Sequence, residues 1–197
     1  MRVILASKSP RRKELLGDIF ESFEIMSADA DESLDGTVPT EEGVVILSER
    51  KGDAVYKLLE DGGEDLSDTL IISSDTLVEL DGVPLGKPAD REDAVRMLRS
   101  LSGKRHNVHT GVAVRHGERA VSGRKTTSVI FRELSREEIE EYVNSGEPMD
   151  KAGAYGIQGG AGKFVDHIEG DFDTVVGLSR ALVRELCDRL GVSYDKK

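Results

Sequence analysis

The sequence predicts a mixed-sheet α/β fold, on three observations. Compact apolar runs such as Val3-Ile4-Leu5-Ala6 and Leu70-Ile71-Ile72 alternate with segments whose apolar residues recur at steps of three and four. Asp81-Gly82 and the region around Gly117 are turn signals between neighbouring strand-like runs, which adds antiparallel hairpins to the alternating pattern. The chain has 197 residues, 38% hydrophobic and 33% charged, enough for a real core in one large domain or two small lobes.

The elements follow in order. Val3 to Ala6 reads as a short buried strand. Ser9 takes the N-cap position of the next helix and Pro10 its first position, where a missing N–H is harmless. Leu15, Leu16 and Ile19 supply that helix's apolar face. Residues 27–43 are polar and acidic and read as a loop. A helix then runs from about Thr40 to Glu60 with an apolar stripe at Val44, Leu47, Ala54, Val55 and Leu58. After a turn at Asp61-Gly62-Gly63-Glu64, Thr69 to Ser74 forms a strand that ends at Asp75-Thr76. Leu77–Leu80 and Val83–Leu85 pair around Asp81-Gly82. Asp90 to Leu101 is a helix with Ala94, Leu98 and Leu101 on one face and Gly103 as its stop. Val108–Val114 and Ala120–Phe131 form an antiparallel pair. Ser135-Arg136-Glu137-Glu138 is a capping box for a helix ending at Gly146. Asp150 to Lys163 is a glycine-rich loop, Phe164-Val165 with Ile168 a short strand. The last helix carries Val175, Leu178, Leu182, Leu186 and Leu190 and stops at Gly191.

The composition excludes several classes. The net charge is −11 without a basic stripe, which disfavours duplex DNA or RNA as a partner. No apolar run approaches the ~18 residues of a membrane span, and no signal peptide is apparent. The single cysteine, Cys187, falls in a helical apolar pattern and reads as core, which fits a reducing cytoplasm. The glycine-rich stretch is not a P-loop: Gly162-Lys163 is followed by Phe164, and Ile157 stands where the first glycine should be. Neither a dinucleotide fingerprint nor a serine elbow is present, and the four histidines lack helical zinc spacing. His106 and His109 flank an apolar strand and read as structural.

The residues that carry chemistry begin with Arg11 and Arg12. Two cations in a helix's first turn are unfavourable by roughly 0.3–1 kcal/mol each, because the free N–H groups already make that end positive. A docked anion reverses the sign, so strand, turn, helix start and two arginines describe a phosphate site; a solvated basic helix start paired with nearby acids is the plainer alternative. Lys51 interrupts an apolar helix face, and either snorkels out or points at a buried partner. Lys87 sits between Gly86 and Pro88, in a short loop whose direction is restricted. Asp75 lies where ligand sites of α/β sheets usually lie. With the acidic Asp31-Glu32 and a glycine-rich loop carrying Gln158, these are cations for several phosphates and carboxylates for a divalent metal, the requirements of a nucleoside triphosphate site.

LASKSPRRKELL (5–16), Asp31-Glu32, Lys51, SSDTLV (73–78), LGKP (85–88), LSGKRHNVHTGVA (101–113) and SGEPMDKAGAYGIQG (145–159) together resemble the Maf family of nucleoside triphosphate pyrophosphatases over nearly the whole chain. The resemblance implies a single such domain over residues 1–197, with a mixed sheet flanked by helices and two lobes around a central cleft, related to the inosine triphosphate pyrophosphatases. It implies a cytoplasmic house-cleaning enzyme, often a homodimer, that splits a nucleoside triphosphate between its α- and β-phosphates with a divalent metal, Mg²⁺ or Mn²⁺ on the oxygen ligands. By that similarity Asp75 activates water or holds metal, Glu32 holds metal, Lys51 and Lys87 assist catalysis, and Ser7 and Arg12 contact phosphate. Arg11, Thr76 and Gln158 resemble the branch acting on dTTP and UTP, and the amide of Gln158 suits the donor and acceptor edge of uracil or thymine. Alternatives are a 7-methyl-GTP or broad-specificity pyrophosphatase, or a regulatory binder that inhibits septum formation. Gly52-Asp53 departs from the family pattern, where alanine more often follows the lysine.

Overall fold

The computed structural model describes residues 1–195. Its strands are β1 (Arg2–Leu5), β2 (Glu24–Ile25), β3 (Thr69–Leu80), β4 (Val83–Leu85), β5 (Arg105–His116), β6 (Arg119–Phe131) and β7 (Val165–Glu169). Its helices are α1 (Pro10–Gly17), α2 (Thr40–Asp61), α3 (Arg91–Leu101), α4 (Arg136–Asn144), α5 (Phe172–Val176) and α6 (Arg180–Leu190). The sheet order is β2-β1-β3-β5-β6-β7, with β4 on β3. β1 runs parallel to β2 and β3, whereas β4 and β7 pair antiparallel, so the α/β sheet is mixed as the alternation predicts.

The chain divides into two compact units. The first comprises residues 1–75, 110–125 and 177 onward; the second comprises residues 76–109 and 126–176. In the first, Ile4, Ala6 and Ile71 of the sheet pack with Val55 and Leu59 of α2. Two small residues set that packing. A Cβ on Gly111 would fall 2.1 Å from the Val44 carbonyl oxygen, so α2 lies on β5 at a distance that glycine alone allows. A Cβ on Gly52 would fall 2.8 Å from Ser73 Oγ, which donates to the Ser48 carbonyl at 2.6 Å. The glycine after Lys51 is therefore matched to a serine on the sheet beneath it. In the second unit, Leu98 and Leu101 of α3, Tyr142 and Val143 of α4, and Phe131, Tyr155 and Phe164 close one core.

The caps form as the residues demand. Ser9 accepts from Arg12 N–H, Asp90 from Asp93 N–H, and Ser135 with Glu138 completes the capping box. Asp81 and Gly82 both take positive φ, +52° and +80°, the backbone of a tight hairpin.

Four expectations are corrected. β3 does not end at Ser74: it continues through Asp75 and Thr76 to Leu80, where it pairs with β4 through Val78, Glu79 and Leu80. On α2, Leu58 is 53% exposed and Leu59 takes the buried position, one step further round the helix. The last helix is two, since Gly177 adopts φ +123° and Ser179 caps a fresh start at Arg180. The stretch after α4 is a series of 3₁₀ turns at Glu147–Asp150, Ala152–Ala154 and Gly160–Phe164. Cys187 is core as expected, and burial pushes its thiol up to about 12. His106 and His109 are buried, the first 2.8 Å from the Tyr155 hydroxyl and the second 2.8 Å from Thr126 Oγ1.

Candidate active site

Six of the nine residues singled out by sequence fall in the first unit: Ser7, Arg11, Arg12, Glu32, Lys51 and Asp75. β1 ends at Leu5, and the chain turns through Ser7 into α1. Ser7 is buried; its Oγ accepts from Ser9 N–H at 3.2 Å and from Arg12 Nη1 at 3.3 Å. Arg12 Nε donates to the Gly177 carbonyl at 2.8 Å. Ser74 Oγ donates to the same carbonyl at 2.9 Å and to that of Gly111 at 2.7 Å. The guanidinium is thus tied on one side to the turn before its own helix and on the other to the strand that carries Asp75.

Desolvation lowers the Arg12 pKa from its ordinary value, Asp75 and Glu32 oppose that, and Arg11 adds to it by repulsion. The group remains a cation, one that gains from any anion placed beside it. It stands in the first turn of α1, where the positive end of the helix dipole acts in the same direction. Arg11 is partly exposed beside it.

Lys51 does not snorkel. Its ammonium meets Asp75 Oδ1 in a short ion pair and Glu32 Oε1 at 2.8 Å. Asp75 is 7% exposed, a buried carboxylate with a cation beside it. Glu32 is exposed and reaches in from the acidic loop. Arg50 fixes that loop by donating to the carbonyls of Asp31, at 3.1 Å, and Ser33, at 2.6 Å. Two carboxylates from separate segments therefore converge on one cation. Hard oxygen donors gathered around a positive charge also fit a divalent cation such as Mg²⁺ or Mn²⁺.

The other three residues lie in the second unit. Thr76 follows Asp75 on β3 and is partly exposed. Lys87 is exposed in the loop after β4, and Gly153 N–H holds that loop by donating to the Gly86 carbonyl at 3.0 Å. Gln158 is exposed in the glycine-rich segment. Ser74 and Gly177 were not anticipated. Ser74 stood in a quoted motif but offered no signal beyond its place before Asp75, and Gly177 was hidden inside an apolar helical pattern.

A family model described as Maf-like protein matches residues 2–190. The dTTP/UTP pyrophosphatase of Bdellovibrio bacteriovorus is 42% identical over 189 residues, covering 95% of this chain and 97% of the relative. That of Thermococcus gammatolerans is 45% identical, covering 93% and 94%. That of Chromobacterium violaceum is 46% identical, covering 90% and 88%. A match along nearly the full length, over a mixed α/β sheet and with the motif residues Ser7, Arg12, Glu32, Lys51 and Asp75 gathered in one unit, places the chain in the family of Maf-like proteins.

Proposed function

We propose that the chain hydrolyses nucleoside triphosphates between the α- and β-phosphates, releasing a nucleoside monophosphate and pyrophosphate, with dTTP and UTP as preferred substrates. The observation that carries this reading is the ion triad of Glu32, Lys51 and Asp75 beside the partly buried Arg12 guanidinium. Relatives at 42–46% identity named dTTP/UTP pyrophosphatase support the choice of reaction and base.

The chemistry asks for charge and a base. Arg12, the positive end of the α1 dipole and the Ser7 hydroxyl receive phosphate oxygens, and Lys51 adds a cation that neutralises charge as the anhydride breaks. Asp75 accepts the proton of the attacking water. The water oxygen bonds to the α-phosphorus as the bond from that phosphorus to the bridging oxygen breaks, and pyrophosphate leaves with that oxygen and its electron pair. Lys87 supplies a further cation for the phosphates. Arg11, Thr76 and Gln158 set base preference, with Gln158 pairing the O4 and N3–H edge of uracil or thymine. Glu32 and Asp75 are the groups that would hold a divalent metal, which supplies charge neutralisation and a more acidic bound water. We infer a cytoplasmic enzyme from its cysteine usage and a homodimer from the family resemblance; among the described residues no helix is long and apolar enough to cross a membrane.

Asp75→Asn preserves shape and removes the base. It should lower kcat by roughly 10²–10⁴-fold while the circular dichroism spectrum stays unchanged. Hydrolysis at the wild-type rate in that variant would remove Asp75 from the mechanism.

A further inference from the structure

Much of the glycine-rich segment depends on Glu147. The Tyr142 hydroxyl, at the end of α4, donates to Glu147 Oε1 at 3.0 Å and accepts from Gly156 N–H at 3.1 Å. Gly160 N–H donates to Glu147 Oε1 and Oε2 at 3.2 and 3.0 Å. The two ends of Gly156–Gly160 therefore hang on one tyrosine–glutamate pair, and Gln158 stands exposed at the midpoint. Hydrogen bonds to a carboxylate are the stronger kind, and two of these three contacts use one.

The glycines show how closely the pair fits. A Cβ on Gly159 would lie 2.0 Å from Glu147 Oε1, and one on Gly160 3.3 Å from the Tyr142 ring. A Cβ on Gly156 would lie 2.7 Å from Lys151 Cε. Lys151 in turn donates to the Glu147 carbonyl at 2.7 Å and pairs with Asp150 at 2.8 Å, which fixes the backbone that carries the carboxylate. Short side chains at 156, 159 and 160 let the clamp close on the backbone itself.

We propose that Glu147 and Tyr142 are positioning residues for base selection: they hold Gly156–Gly160 so that the Gln158 amide offers a fixed donor and acceptor to the polar edge of a pyrimidine base. This rests on the reading of Gln158 given above. An amide has a donor end and an acceptor end, and uracil or thymine differs from cytosine in the order of those groups, so selection requires an amide that cannot turn freely. An amide on a loose loop would also pay the entropy of ordering at each binding event, a cost that a preformed loop avoids.

The test is steady-state kinetics on dTTP, UTP and CTP with the intact protein. Glu147→Ala should raise KM for dTTP and UTP about tenfold, leave kcat within about twofold, and shrink the preference over CTP. Glu147→Gln keeps an acceptor at the same place and should recover most of that preference. In a Gln158→Ala background, Glu147→Ala should have no further effect on KM, whereas a merely structural role would add to it. Gly159→Ala covers the case in which Glu147→Ala does not fold. Its backbone at φ −105° accepts a side chain, and its methyl group displaces the carboxylate, so the same KM rise is expected. Loss of preference in Gln158→Ala but not in Glu147→Ala or Gly159→Ala overturns the clamp and leaves the reading of Gln158 standing. Unchanged preference in Gln158→Ala overturns that reading and the clamp with it.

Discussion

His106 shows how one buried side chain makes the molecule's stability depend on pH. It is 3% exposed, and burial holds its pKa at about 4, below the ordinary 6.5. Above pH 6.5 the ring is neutral in both folded and unfolded chains, and its contribution is fully present. Between pH 6.5 and about 4 the unfolded chain takes up a proton that the folded chain excludes, so stability is lost as pH falls, by roughly 3 kcal/mol in all. Urea unfolding of the wild type and of His106→Asn across pH 7 to 4 reads this directly. The wild type should lose more stability over that range than the variant; parallel curves would mean that the ring is already charged in the fold. Asp75 shows a different use of burial. Its partner is the Lys51 ammonium, so what could be a liability in the sheet becomes a carboxylate held beside a cation.

At the scale of elements, the packing of α2 on the sheet decides where Lys51 points. Gly52→Ala would set a methyl group 2.8 Å from Ser73 Oγ, and should destabilise the protein by about 1–2 kcal/mol despite alanine's better helix propensity. Adding Ser73→Ala removes the clash, since the remaining Cβ would be 3.6 Å away, so the double variant should regain most of that loss in thermal melts. Additive losses would place the strain elsewhere. What was legible in the chain was local. Ser9-Pro10, Asp81-Gly82 and the Ser135–Glu138 box form from residues within four positions of one another, and each is found where its residues stand. What was not legible depended on partners far along the chain. β3 runs on through Asp75, whose charge is met by Lys51, 24 positions earlier. Leu59 replaces Leu58 in the core because helix phase drifts against a pattern read at its start. Gly177 separates α5 from α6 while its carbonyl serves Arg12, a contact spanning 165 positions that no local pattern reports.

The candidate site residues are distributed over both units. The first gathers the charged centre of Ser7, Arg12, Glu32, Lys51 and Asp75; the second carries Thr76, Lys87 and the clamped segment with Gln158. The net charge of −11 repels a polyanionic substrate, so attraction has to come from the local cations, and activity should be more sensitive to Arg12 and Lys51 than to surface lysines. The decisive experiment is pyrophosphate release from dTTP, UTP, CTP, 5-methyl-UTP, 7-methyl-GTP, ITP and the standard purine triphosphates, with Mg²⁺ or Mn²⁺. Preferential hydrolysis of dTTP and UTP that disappears in Asp75→Asn is expected. Preference for 7-methyl-GTP would contradict the roles given to Arg11, Thr76 and Gln158, and no hydrolysis with either metal would contradict the enzyme itself and favour a regulatory binder.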